Sequence, residues 1–184
     1  MSRLAQSAVL VVVLAAGGCG GATPKASLPP APGSTPSSTA PTAPVGQRTD
    51  PCTLLTVAQV SAAVGATVGP GRETALPPPL GGHSCLWATA SVPVRTFQVT
   101  LRTAVDITAA GQTPALLYAE SVSLAGTSQS LVAVAGVGDR AEIGRSRAFV
   151  LKGGTYMTTD VGFGTSATAH AALVTLTTAA AARV

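Results

Sequence analysis

The sequence predicts an α+β domain over residues 50–184, with a single antiparallel sheet of about five strands, three helices against it and one disulfide. Three observations lead there. Phe97, Val99 and Leu101 alternate with Gln98, Thr100 and Arg102, the period-two pattern of a half-buried strand. Gly153-Gly154 lies between two β-rich runs, the signal of a two-residue hairpin, and hairpin-linked strands build antiparallel sheets. Val57, Val60 and Val64, and later Leu173, Leu176 and Ala180, recur at helical spacing.

Ahead of this domain, residues 1–18 carry the parts of an export signal. Arg3 is a minimal positive n-region, the apolar run 8–16 an h-region, and Ala16-Gly17-Gly18 a small-residue cleavage site before Cys19. The run falls short of the ~20 apolar residues that a bilayer span takes. It resembles a lipobox, with Ala16 standing where Leu is usual, and Cys19 is then the lipid-bearing first residue of the mature chain. The alternative is ordinary secretion with Cys19 an incidental thiol. Cysteine arithmetic favours lipidation, because three cysteines in an oxidising compartment leave one unpaired. With lipid on Cys19, Cys52 and Cys85 remain and make one disulfide, adding roughly 3 to 4 kcal/mol by the loop-closure estimate. Two or three acyl chains, palmitate among them, hold a protein to a membrane where one does not. The expected location is the extracytoplasmic face of the cell membrane, with the protein anchored and not spanning.

Residues 19–49 change character. Pro24, Pro29, Pro30, Pro32, Pro36, Pro41 and Pro44 alternate with Ser, Thr, Ala and Gly, and no apolar period is present to build a core. Such a segment reads as a lipid-anchored, disordered tether of partly polyproline character, reaching roughly 90 Å when fully extended. Its Pro-flanked Ser and Thr permit O-glycosylation.

Within the domain, Thr56-Val57-Ala58-Gln59 is a capping box, with Leu55 and Val60 at hydrophobic-staple positions and Gly65 stopping the helix. A Gly/Pro-rich loop leads into a strand over 84–89 that places Cys85 and Trp87 on one face. After the alternating strand, Thr113-Pro114 reads as the N-cap and first position of a second, short helix through Leu116-Leu117-Tyr118. Residues 130–161 read as a three-strand meander. Its Gly153-Gly154 turn sets Leu151 opposite Tyr156, Val150 opposite Met157 and Arg147 opposite Asp160, the last an opposite-charge cross-strand pair. The Ala-rich run 166–183 closes the domain as a helix.

Composition narrows the function classes. The formal charge is +4, or +3 once Arg3 leaves with the signal. The loosely grouped Arg140, Arg145, Arg147 and Lys152 are diluted by Asp139 and Glu142 and lack interleaved aromatics, which argues against nucleic acid as a partner. Weak attraction to anionic headgroups or wall polymers is the most this balance supports. Gly136-Val137-Gly138-Asp139-Arg140-Ala141 matches G-x-G-x-x-A, and Asp160 lies about 20 residues on, but no helix follows, as a dinucleotide site requires. A glycine turn with Asp139 bonding local backbone is the simpler reading. His83 reads as an exposed loop residue. With His170 the only other histidine and no paired ligand spacing, no metal site is expected. His170 lacks any visible partner. Asp139, Glu142 and Asp160 could supply a carboxylate pair for hydrolysis, or a surface turn and a salt bridge. No G-x-S-x-G occurs, and no cofactor is expected.

Pro51-Cys52-Thr53-Leu54-Leu55-Thr56, then Cys85-Leu86-Trp87, then Gly136-Val137-Gly138-Asp139-Arg140-Ala141 and the strand ending Lys152-Gly153-Gly154 resemble a family of actinobacterial envelope lipoproteins classed as a domain of unknown function. The resemblance runs from about Asp50 to the C-terminus. It implies a Cys52–Cys85 disulfide with Trp87 packed near it, and it brings no catalytic residues. More loosely, the layout is similar to extracellular sensor domains of actinobacterial receptor kinases and to PsbP-like lipoproteins, which favours binding over chemistry. The expected function is a non-catalytic envelope module that binds a protein, lipid or glycan. The alternative is a cell-wall-directed hydrolase with an unrecognised site. A chain with 10% charged residues and two histidines has few groups for catalysis.

Overall fold

Asp50 opens the folded chain by capping a 3-10 turn, Pro51–Thr53, where its carboxylate accepts from the Cys52 amide at 2.7 Å. The computed structural model describes residues 49–109 and 111–184. The export signal, Cys19 and the tether up to residue 48 lie outside the described residues. Helix α1 (Val57–Val64) forms where the capping box places it. The Gln59 amide donates to Thr56 Oγ1 at 3.2 Å, and the Thr56 amide donates to Gln59 Oε1 at 2.9 Å. Gly65 ends it in the left-handed region at φ 69°, a conformation open to a residue without Cβ.

Among the described residues seven strands follow in one sheet: β1 (Arg72–Ala75), β2 (His83–Ala88), β3 (Thr96–Arg102), β4 (Val132–Ala133), β5 (Arg140–Ile143), β6 (Arg147–Lys152) and β7 (Thr155–Val161). Two helices complete the fold, α2 (Pro114–Gln129) and α3 (Ala167–Ala181). The spatial order is β1-β2-β3-β7-β6-β5-β4, every neighbouring pair antiparallel. The expected class is therefore correct, but the sheet has seven strands and not about five. The two extra strands are its edges. β1 is exposed along its whole length and lacks apolar alternation, and β4 is two residues long, so neither leaves a periodic trace in the sequence. The second helix is also longer than expected, sixteen residues running to Gln129.

The hairpin at Gly153-Gly154 has the register read from its turn: Leu151 faces Tyr156, Val150 faces Met157 and Arg147 faces Asp160. On β3 the alternation sorts the two faces. Phe97, Val99 and Leu101 join a core with Cys85, Trp87, Val150 and Met157 beneath α1 and α3. Each such side chain removed from water contributes about 1.5 to 3 kcal/mol. The Cys52–Cys85 disulfide, with Cα atoms 5.1 Å apart, pins the opening turn to this face. Gly71 closes over it. A Cβ there would stand 2.5 Å from Cys85 Sγ and 2.9 Å from the Trp87 ring, so the disulfide and the indole share one packed corner, as the resemblance implied.

The opposite face is covered differently. β1-β2-β3 and β4-β5-β6-β7 are two meanders, joined where β3 lies beside β7. The connection from β3 must cross β7, β6 and β5 to start β4 at the far edge. Helix α2 makes that crossing and so packs on β6 and β7, where Leu117 and Tyr118 meet Phe149 and Tyr156 in a second, smaller cluster. Among the described residues no helix covers the β3 side of this face.

Candidate functional site: a cleft beside α2

The incomplete cover creates a cleft. It has a volume of about 630 Å³, with α2 as one wall and the β1–β2 loop residues Leu76 and Leu80 as the other. Its floor is laid out by the strand register. Arg102 sits beside Tyr156, Thr100 beside Thr158 with Phe149 next, and Gln98 beside Asp160 with Arg147 next. These are the polar positions of the alternating β3 and β7 strands, together with the β6 positions facing the same way. Leu117, Ser121, Leu124, Ala125, Ser128 and Gln129 of α2 line the wall above. The helix runs along the strands, so its C-terminal Ser128 and Gln129 stand over the end of the floor that carries Arg147 and Asp160.

Electrostatics differ from one end of the floor to the other. Arg147 Nε donates to the Asp160 carboxylate. Burial nevertheless pushes the Asp160 pKa above the usual carboxylate value, with the Arg147 charge and hydrogen bond pulling the other way. Burial also raises the Tyr156 phenol, against a hydrogen bond from Ser121 and the nearby Arg102 and Arg147 charges. At the other end, Arg102 Nε is buried and has no hydrogen-bond partner among the described residues.

The residues singled out by sequence go elsewhere. Asp139 Oδ2 accepts from the Gly153 amide at 2.8 Å, so the glycine segment Gly136 to Ala141 is a turn clamped to the neighbouring hairpin, and strand β5 follows where a nucleotide site would need a helix. Glu142, on β5, is two strands from Asp160, about 10 Å in backbone at ~4.8 Å per strand, so the three acids form no close pair. His83 requires correction. It is not an exposed loop residue but lies on β2 at 9% exposure, its Nδ1 2.8 Å from Glu73 Oε1. The unforeseen β1 supplies that partner and covers it. His170 Nδ1 meets the Gly144 carbonyl at 3.0 Å, a structural bond across to the β5–β6 turn. Among the described residues no group of three or more His, Cys, Asp or Glu side chains could hold a metal, and no helix is long and apolar enough to cross a membrane.

A second cavity, about 540 Å³, lies at the N-terminus of α3. Its charged residue is already engaged: Arg95 Nη1 donates to the Val64 carbonyl at 2.7 Å, and its guanidinium lies 5.8 Å from the Phe163 ring centre. The cleft beside α2 is the stronger candidate because its lining keeps a guanidinium nitrogen unpaired. In the sequence Gln98, Thr100 and Arg102 mark only the wet side of a strand. Leu124, an apolar residue off the buried side of its helix, was the one local hint.

The fold is thus an α+β protein built on one antiparallel sheet, with a half-covered face as its candidate site. The chain belongs to the family described as protein of unknown function DUF3558, which matches residues 14–175. No curated protein and no solved structure matches the chain.

Proposed function

We propose that this is an actinobacterial cell-envelope lipoprotein whose domain binds a ligand non-catalytically in the cleft beside α2. The cleft itself carries the reading. Its volume falls in the range of about 300 to 1,000 Å³ typical of ligand pockets, and its lining mixes apolar walls with a few convergent polar groups. The lining contains one carboxylate, Asp160, which Arg147 holds, and neither histidine nor cysteine. The other proton carrier of the lining, the Tyr156 phenol, has its pKa raised further by burial, away from the range of a general base, so this composition favours binding over the cell-wall hydrolase alternative.

Lipid on Cys19 would fix the protein to the extracytoplasmic face of the membrane, and the Pro-rich segment would let the domain reach beyond the headgroups. Replacing Cys19 by Ala is expected to release the protein into the medium; unchanged membrane retention would overturn the anchor. The binding role is tested by native mass spectrometry of the full chain purified from its own envelope. A bound species present on the wild type and lost from Ala125→Trp, whose indole fills the cleft, is the expected result. A species retained by Ala125→Trp, or none on either protein, contradicts it.

A further inference from the structure

We propose that the cleft takes an organic anion, a carboxylate or phosphate carried on an apolar body, with Arg102 as its anchor; this rests on the cleft being the binding site. The lining holds two arginines and one aspartate. Since Asp160 neutralises Arg147, the uncompensated positive charge within the lining is that of Arg102. Among the described residues its Nε has no acceptor, which leaves the guanidinium with an unmet donor at the cleft. A guanidinium offers a planar fork that fits carboxylate and phosphate oxygens in pairs.

Arg102 is also held in place. Its stem passes over Gly82, where a Cβ would come within 2.8 Å of Arg102 Cγ, so the side chain runs in a groove open because residue 82 is glycine. A stem already packed in the free protein has less side-chain freedom to lose on binding. The Thr100 hydroxyl, two residues back on β3, and the Tyr156 phenol across on β7 lie on the same floor as further hydrogen-bonding groups.

The apolar body follows from the walls. Leu80 faces the cleft from the loop at 38% exposure, and Leu124 from the helix at 81%. Folding leaves both wet, so a ligand that covers them gains roughly 25 cal/mol for each Å² of apolar surface removed from water. From Arg102 to Gln98 the floor extends about 14 Å at the ~3.4 Å rise of an antiparallel strand, roughly the span of a decyl chain with its head group. A cationic ligand would face the Arg102 charge, and a neutral one would give its guanidinium no counter-charge.

The test titrates the full chain with decanoate, decyl phosphate and decanol below any micelle concentration, by isothermal calorimetry. The three share one tail, and the two anions separate a carboxylate source from a phosphate source. Binding by at least one anion tenfold or more tighter than decanol is expected, with Arg102→Gln bringing it down to the decanol level and Arg102→Lys keeping part of the difference. Equal affinity for all three, an Arg102→Gln protein that still prefers the anion, or no binding by any of them overturns the anion assignment. The cleft is tested separately with Ala125→Trp. If that variant loses all three ligands while Arg102→Gln loses nothing, the cleft stands and the anion assignment falls. If it loses none of them, the ligands sit elsewhere and the cleft reading itself falls. Circular dichroism matching the wild type establishes that each variant is folded.

Discussion

On one face of the sheet Leu173 of α3 is fully buried, while on the other Leu124 of α2 is 81% exposed. Both are helical leucines over the same strands, and the difference lies in topology. α3 follows β7 directly and settles over the middle of the sheet, where with α1 it closes a core that includes the disulfide, Trp87 and Phe97. α2 must travel from β3 to the far edge, and the β3 side of its face stays open. One face is therefore specified by packing. The other combines a small apolar cluster with an open polar floor, an arrangement that stability alone does not call for.

The sharpest way to break this contrast is at the buried face. Leu173→Ala is expected to destabilise the full chain by about 2 to 5 kcal/mol in urea unfolding, since a closed core relaxes little around a cavity. A smaller effect is expected at Thr159 and Thr177, which are buried and hydrogen-bonded to each other between β7 and α3. Thr159→Val strands the Thr177 hydroxyl and should cost about 1 to 3 kcal/mol, and the double change to Val should recover most of it. Recovery would confirm that the loss is an unpaired hydroxyl and not a packing defect.

The open face should respond with the opposite sign. The Asp160 pKa is raised in the folded protein, so the folded state holds the proton more tightly than the unfolded state. Ionised Asp160 therefore lowers stability as pH climbs from the ordinary carboxylate range through the raised value, and the cost is fully present above it. Asp160→Asn is expected to equal or exceed the wild type at pH 7, by less than about 1 kcal/mol because half-exposed Arg147 loses only a weak partner. The gain should vanish below the ordinary carboxylate range, where both proteins carry a neutral group; a pH series of urea midpoints reads it. Smallest of all, Leu124→Ala should change stability by no more than about 0.5 kcal/mol while weakening ligand binding.

Much of the fold was legible wherever the cause is local. The Thr56 capping box, the Gly65 stop, the β3 alternation and the Gly153-Gly154 register depend on residues a few positions apart, and the structure reproduces each. β1 and β4 were illegible because edge strands with one neighbour and little burial need no apolar pattern. The extent of α2 was obscured for a related reason. Its apolar residues divide between buried Leu117 and Tyr118 and exposed Leu116 and Leu124, so no single stripe marks it. His83 was misplaced because its cover is the unrecognised β1. The cleft could not be read from any one segment, since it arises from the β3-to-β4 crossover and draws its lining from β3, β6, β7, α2 and the β1–β2 loop.

On this reading the half-covered face, and not the packed one, binds the ligand. Hydrogen–deuterium exchange of the full chain, with and without whichever of decanoate and decyl phosphate it binds, reads that face directly. Slowed exchange over residues 98–102 and 114–129, with no change over 167–181, is the expected result. Slowing confined to α1 and α3, or none anywhere, would contradict it.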